Sequence, residues 1–275
     1  VLDVNETPDP EEFEDAYMRY ANARVCPPRP AEKTYRVRGT QEPFYTLNVI
    51  DGIMSVSAVQ KVAKQYQASI TEYLNAVLLY SHFQKQEHDF HLRLRPVRIA
   101  MPVNLRRFFP SKTLRNFITM VYPSIDPRLG DYTFEEIVTQ VHHYMRLHVN
   151  PQEMRAVFTR NVRYTSNLFL QLIPRLLKNP VMAWNYRTKG VRPYSATFTN
   201  PGPFSVPPEM APHISHMEVV LGQAAVPRPH VSSISYGNTM EITFAGTQKD
   251  TNTEREFFRF LVRQGLPVRI ESNRT

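Results

Sequence analysis

A single cysteine, Cys26, excludes an internal disulfide and leaves no thiolate cluster to hold zinc or an iron–sulfur centre. Glycine is also scarce, with nine residues in 275, none of them arranged as a phosphate cradle or a G-x-S-x-G elbow. A Rossmann cofactor, a P-loop nucleotide and an α/β-hydrolase mechanism are set aside on that ground. No apolar run approaches the roughly 18 residues that span a bilayer, and Val1 does not open a signal peptide. Arg-rich arms, finger spacings and RNA-stacking motifs are missing too, although 33 Lys and Arg against 25 Asp and Glu give a net charge of +8. The basic excess is spread along the chain, which fits small anionic partners better than a nucleic-acid surface. The expectations are a reducing, cytoplasmic location, no membrane span and no nucleic-acid partner.

What is present is a globular composition, 42% hydrophobic, ample for a core in one large domain or two small ones. Residues 1–43 are Pro-rich and charged and read as a linker or surface segment with one short helix, Glu11 to Tyr20. The chain opens without methionine inside this acidic stretch, so a further part is expected upstream. Residues 44–275 carry the core. A strand is predicted at Phe44–Ile50, and Ser57 with Gln60, then Ser69 with Glu72, form capping-box patterns for two helices. The second helix sets Ile70, Tyr73, Leu74, Val77, Leu78 and Ser81 on one side. Strands from Val97 to Val103 and from Phe117 to Ile125 flank a polar loop. Thr133 and Glu136 cap a long helix with Phe134, Ile137, Val138, Val141 and Met145 inward, and Leu168–Leu177 reads as a helix ending near Lys178-Asn179-Pro180. Further strands are predicted at Tyr194–Thr199, His216–Leu221, Val231–Tyr236 and Met240–Ala245, the last two turning at Gly237-Asn238. A helix, Thr253–Gln264, and a strand, Pro267–Ile270, close the pattern. The fold class is α/β, a mixed β-sheet layered with helices.

Two segments concentrate polar chemistry. In Asn104-Leu105-Arg106-Arg107 an apolar strand stops abruptly, and the next begins after Arg115-Asn116. Asn supplies donors and acceptors and Arg a fork of donors, so Asn104, Arg106 and Asn116 are either a site at strand ends or a solvated loop. In Thr199-Asn200-Pro201-Gly202-Pro203-Phe204 a hydroxyl and an amide sit on a stiff turn. They are suited to steady an oxyanion, or they simply end a strand. The other candidates are weaker. His142 and His143 fall about 100 degrees apart on a helix, one beside the apolar stripe and one toward solvent. His88 with His91, and His213 with His216, have a metal-compatible spacing but no third ligand in frame, so no metal is expected. Glu11-Glu12 and Glu135-Glu136 sit at helix starts, where the dipole accounts for them.

The Thr199-Asn200-Pro201-Gly202-Pro203-Phe204 turn resembles the S/T-N-x-x-G-P segment of wax-ester and alcohol acyltransferases. With Pro102-Val103-Asn104-Leu105-Arg106 before it and Ser235-Tyr236-Gly237-Asn238 after it, the chain resembles the C-terminal lobe of the chloramphenicol-acetyltransferase-like superfamily. That superfamily also holds the condensation domains of nonribosomal peptide synthesis and alcohol acetyltransferases, and the likeness runs from about residue 44 to residue 271. The resemblance implies one lobe of a two-lobed α/β enzyme whose tunnel admits acyl-CoA or an acyl carrier at one mouth and the acceptor at the other. It also implies a histidine base in H-H-x-x-x-D-G. This sequence has no such motif: His142-His143 is followed by Tyr144-Met145-Arg146-Leu147-His148.

Carried over residue by residue, Thr199 and Asn200 match positions near the reacting carbonyl, and Asn104, Arg106 and Asn116 match strand ends facing the tunnel. No catalytic residue is expected in the chain itself. The resemblance further implies no tightly bound cofactor, an acyl-CoA or acyl-carrier thioester as co-substrate, an alcohol or amine acceptor, and a missing N-terminal lobe as partner. A homodimer through the exposed inter-lobe face is the alternative cover. A fragment inactive alone is the first expectation, a non-catalytic binding module of the same fold the second, and a basic nucleic-acid binder the least favoured.

Overall fold

The structure is a computed structural model that describes the chain apart from residues 1–6, 8, 23–31, 38, 44, 90–92, 167–171, 187–192, 224–227 and 275, with backbone alone at 164 and 165. Cys26, Phe44 and His91 therefore lie outside the described residues. Eight strands are described: β1 Asn48–Ser55, β2 Val97–Asn104, β3 Ile118–Val121, β4 Ser124–Ile125, β5 Ala196–Phe204, β6 His230–Tyr236, β7 Thr239–Gly246 and β8 Arg269–Ser272. Seven α-helices accompany them: α1 Ala16–Tyr20, α2 Val56–Gln65, α3 Ile70–His88, α4 Phe134–His148, α5 Pro151–Thr165, α6 Arg175–Asn185 and α7 Asn252–Arg263. The chain divides into two compact units. The first comprises Val1–Glu32, Pro102–Val121 and Tyr144–Val191, and the second Lys33–Met101, Tyr122–His143 and Arg192–Thr275.

The second unit holds the mixed sheet, in the order β2-β5-β6-β7-β1-β8, with β4 paired antiparallel to β2. The β2–β5 and β5–β6 ladders are parallel, and β6–β7, β7–β1 and β1–β8 are antiparallel. One sheet face is apolar and packs on helices. Phe244 meets Phe257 and Phe258 at ring distances of 5.0 and 5.5 Å, and a Cβ added at Gly52 would lie 2.1 Å from the Phe258 ring. Helix α3 begins with the expected Ser69–Glu72 capping box. It is buried on nearly every side, including Tyr73, Leu74, Val77 and Leu78, because it is the central helix of this layer. Phe260 of α7 closes the layer against Tyr80 (5.2 Å) and Phe134 (4.4 Å).

The first unit is a helix–strand cluster around aromatic rings. Helix α1 packs on α5, and Tyr17 and Phe117 meet edge-on at 4.9 Å beside Phe158. The Tyr17 hydroxyl donates to the Ile118 carbonyl (2.5 Å) and accepts from the Ile118 N–H (2.8 Å).

Several expectations change. His216–Leu221 forms no strand, because both edges of β6 are already taken by β5 and β7. The segment instead touches the sheet through the Ser232 hydroxyl, which donates to the Val219 carbonyl. The first strand runs on to Ser55, and Ser55 caps α2 where Ser57 was expected. Asn238 takes the N–H groups of Val56 and Ser57 and fixes that start. The Phe117–Ile125 strand breaks into β3 and β4 around Tyr122-Pro123, since Pro123 has no N–H to give the ladder. The Glu11–Tyr20 helix is a 3-10 turn, Pro10–Phe13, followed by α1. Helix α6 passes through Pro180 and does not end at it, so the Leu176 carbonyl goes without its ordinary helical donor. Helix α5 was not anticipated; its signal is Asn150 at the cap with Pro151 and Glu153 behind it.

Candidate functional site

The Thr199-Asn200-Pro201-Gly202 segment does not end a strand, because β5 continues through it to Phe204. Thr199 pairs with Ser232 and Gly202 with Ile234, so one extra residue is held in a bulge. Asn200 makes the bulge rigid. Its carbonyl oxygen accepts the Gly202 N–H (2.9 Å), and its amide donates to the Thr71 hydroxyl in the first turn of α3 (3.0 Å). Gly202 has φ +87°, which a side chain would strain. The next residue of that helical turn, Glu72, faces His142 of α4, with Nδ1 to Oε1 at 3.3 Å. Burial raises the Glu72 carboxyl, but the hydrogen bonds from the Ser69 backbone and hydroxyl, with His142, bring it below the ordinary glutamate value. One helix start thus anchors both Asn200 and His142, and His142 is a side chain of α4, not of a loop at a strand end.

Opposite the helix-covered face, the sheet register aligns Thr199, Ser232, Thr243, Asp51 and Glu271 in one row across β5, β6, β7, β1 and β8. A sheet face lined by polar residues in its buried middle is costly unless something polar is met there. Ser232 and Thr243 are each 1% exposed, whereas Thr199 is half-buried. The neighbouring pair is Thr197 and His230, with Oγ1 to Nδ1 at 2.6 Å. Burial, with Arg228 adding to it, lowers His230 to about 4, so the ring is neutral near pH 7. His230 was missed by sequence reasoning, and its one signal is a histidine opening an otherwise β-rich run after Pro229. His82, buried in α3 with Nδ1 2.9 Å from the Leu78 carbonyl, is a second neutral imidazole, lowered by burial to about 4.

Asn104, Arg106 and Asn116 belong to the first unit, and Thr199 and Asn200 to the second. Asn104 ends β2 as expected and accepts the Arg106 N–H (3.1 Å), capping a short 3-10 turn. Arg106 directs Nη2 to the carbonyls of Thr113 (2.5 Å) and Arg115 (2.7 Å), so its guanidinium ties the polar loop together. Asn116 is exposed before β3. His143 is exposed and His142 half-buried, the arrangement the helical spacing gives. The Glu136 carboxylate accepts the Thr133 N–H (2.8 Å) and is a cap.

At the level of sequence the chain matches no family model and no curated protein. Its structure does find relatives. A trichothecene 15-O-acetyltransferase from Fusarium sporotrichioides aligns over 84% of this chain and 49% of its own, with 12% identity and a TM-score of 0.55. A nonribosomal peptide synthetase aligns over 85% and 22%, with 10% identity and a TM-score of 0.54. The chain has the chloramphenicol-acetyltransferase-like fold. The epimerization domain from the third module of tyrocidine synthetase B aligns over 92% of this chain and 56% of its own, with 13% identity and a TM-score of 0.50. This acyltransferase-type fold is here a mixed sheet layered with helices, and the chain spans about half the length of the acetyltransferase and the epimerization domain it matches. Among the described residues no helix is long and apolar enough to cross a membrane.

Proposed function

We propose that this chain is the C-terminal lobe of an acyltransferase that moves an acyl group from a CoA or carrier thioester to an alcohol or amine, and that it is inactive alone. The observation that carries the reading is the β5 bulge: Thr199 stands half-buried on the polar sheet face while Asn200 locks the backbone beside it. In the intact enzyme a histidine base from the other lobe takes the acceptor's proton. The acceptor lone pair then forms the new C–O or C–N bond, and the carbonyl electron pair moves onto oxygen. On collapse the C–S bond breaks, and the thiolate leaves with the proton. The Thr199 hydroxyl donates to the oxyanion, a role whose loss costs on the order of 10²- to 10³-fold in rate. Asn200 is a positioning residue. No tightly bound cofactor is required; acyl-CoA or the acyl carrier is a substrate.

The reading also places a partner on the apolar side chains of α6, where Leu176, Leu177, Val181 and Trp184 are 64–88% exposed. Such a patch is ordinarily covered. The cover proposed is the N-terminal lobe, or a second copy of this chain when that lobe is missing.

The test is thiol release from acyl-CoA with alcohol and amine acceptors, by this chain and by a longer protein carrying both lobes. Turnover only by the longer protein, lowered in Thr199→Ala, is expected. Turnover by this chain alone, abolished in His142→Ala or His143→Ala, contradicts it. An upstream sequence without an H-H-x-x-x-D-G histidine would favour a second reading, a non-catalytic binding module of the same fold. That reading predicts no turnover by the longer protein either.

A further inference from the structure

On the polar sheet face two carboxylates lie diagonally next to each other. Asp51 of β1 pairs with Thr243, and Glu241 lies two residues before Thr243 on β7. Each is more than nine-tenths buried, at 8% and 3% exposure, yet Asp51 Oδ1 and Glu241 Oε2 accept no hydrogen bond. A third carboxylate, Glu218, reaches them from the extended segment laid over the sheet. The three ligating oxygens lie within 4.8 Å of one another. From the same segment His216 brings Nε2 to 4.0 Å from Glu241 Oε2, while its Nδ1 is held 3.0 Å from the Ser215 hydroxyl. Glu271, across from Asp51 in the ladder, is paired with Arg269 at 3.3 Å. Among the described residues no Lys or Arg forms an ion pair with Asp51, Glu218 or Glu241.

Two buried anions side by side without a Lys or Arg counter-charge are strongly disfavoured, and the exposed Glu218 adds a third negative charge beside them. We propose that Asp51, Glu218, Glu241 and His216 bind one divalent first-row cation, of the manganese or zinc kind, which staples the segment carrying His216 and Glu218 to β1 and β7. Three carboxylates with one imidazole suit these ions better than magnesium or calcium, which prefer oxygen alone. With metal–ligand distances of about 2.1 Å, ligand atoms stand roughly 3 to 4.3 Å apart. The three carboxylate oxygens stand within 4.8 Å of one another, close to that spacing, and His216 Nε2 stands 4.0 Å from Glu241 Oε2. The Ser215 contact serves as the outer hydrogen bond that fixes the ring of a ligating histidine. This site is independent of the acyltransferase reading.

The chain is stripped with a chelator, dialysed against manganese or zinc chloride, and the bound metal counted per chain. One ion per chain is expected, raising the thermal midpoint as a ligand of the folded state must. Glu241→Gln and Asp51→Asn are expected to lose at least about tenfold in affinity, and His216→Ala to weaken zinc more than manganese. Because Glu241→Gln removes a buried charge, this variant keeps or raises the metal-free midpoint, so its failure to bind cannot be put down to unfolding. Binding of well under one ion per chain at millimolar metal, or binding unchanged in Glu241→Gln and Asp51→Asn, overturns the proposal. It would leave a carboxylate group neutralised by protons.

Discussion

Asn200 uses both ends of its side-chain amide to hold one backbone bulge, joining Thr71 to Gly202. Asn200→Ala is therefore expected to cost about 1–2 kcal/mol of stability, measured by urea unfolding. In a protein carrying both lobes it should lower kcat more than it raises KM, because it displaces Thr199 without removing a binding contact. The sequence singles out this segment because Thr, Asn, Pro and Gly in a row are turn-formers. It misread the segment as a strand end because a bulge and a turn use the same residues, and only the pairing of Gly202 with Ile234 tells them apart. The buried histidines were not legible at all, since their behaviour depends on burial from every side. His82 and His230 are lowered to about 4 in the fold, against about 6.5 unfolded, so the unfolded chain binds protons that the native one refuses. Their contribution is complete above pH 6.5 and is lost as pH falls from about 6.5 to about 4, on the order of 3 kcal/mol for each. Unfolding free energy measured across that range should fall with acid, and His230→Gln should flatten the slope.

Among the elements, the helix starts were the most legible. The Ser69–Glu72 box forms as its spacing demands, and Thr133 with Glu136 does the same for α4. Strands were less so, because a ladder needs a free partner edge that local alternation cannot reveal. His216–Leu221 has strand-like composition but no edge of β6 to join. Close approaches between elements were equally hidden. Gly52 looks unremarkable in β1, yet its missing Cβ makes room for the Phe258 ring. Gly52→Ala should destabilise the protein by about 1–3 kcal/mol through overpacking, checked by thermal unfolding. The double change with Phe258→Leu should recover part of that loss.

At the scale of the whole molecule, the fold class agrees with what the order of motifs implied, although identity to the structural relatives is only 10–13%. Hydrophobic patterning and a few turn residues are consistent with this fold at so low an identity. Strand β2 and helix α4 each run across the division into two compact units without a break in their sequence pattern. If α6 is the seat of another lobe, Leu176→Ser with Trp184→Ser should reduce self-association of this chain in analytical ultracentrifugation and leave its far-ultraviolet spectrum unchanged. The central claim proposed, that this chain is the acyltransferase lobe that supplies the Thr199 oxyanion donor but not the histidine base, is tested most directly by thiol release from acyl-CoA. A longer protein with both lobes should release thiol in the presence of an acceptor, on the order of 10²- to 10³-fold more slowly with Thr199→Ala, while this chain alone stays at background. Acceptor-dependent release by this chain alone, lost in His142→Ala, would contradict the account.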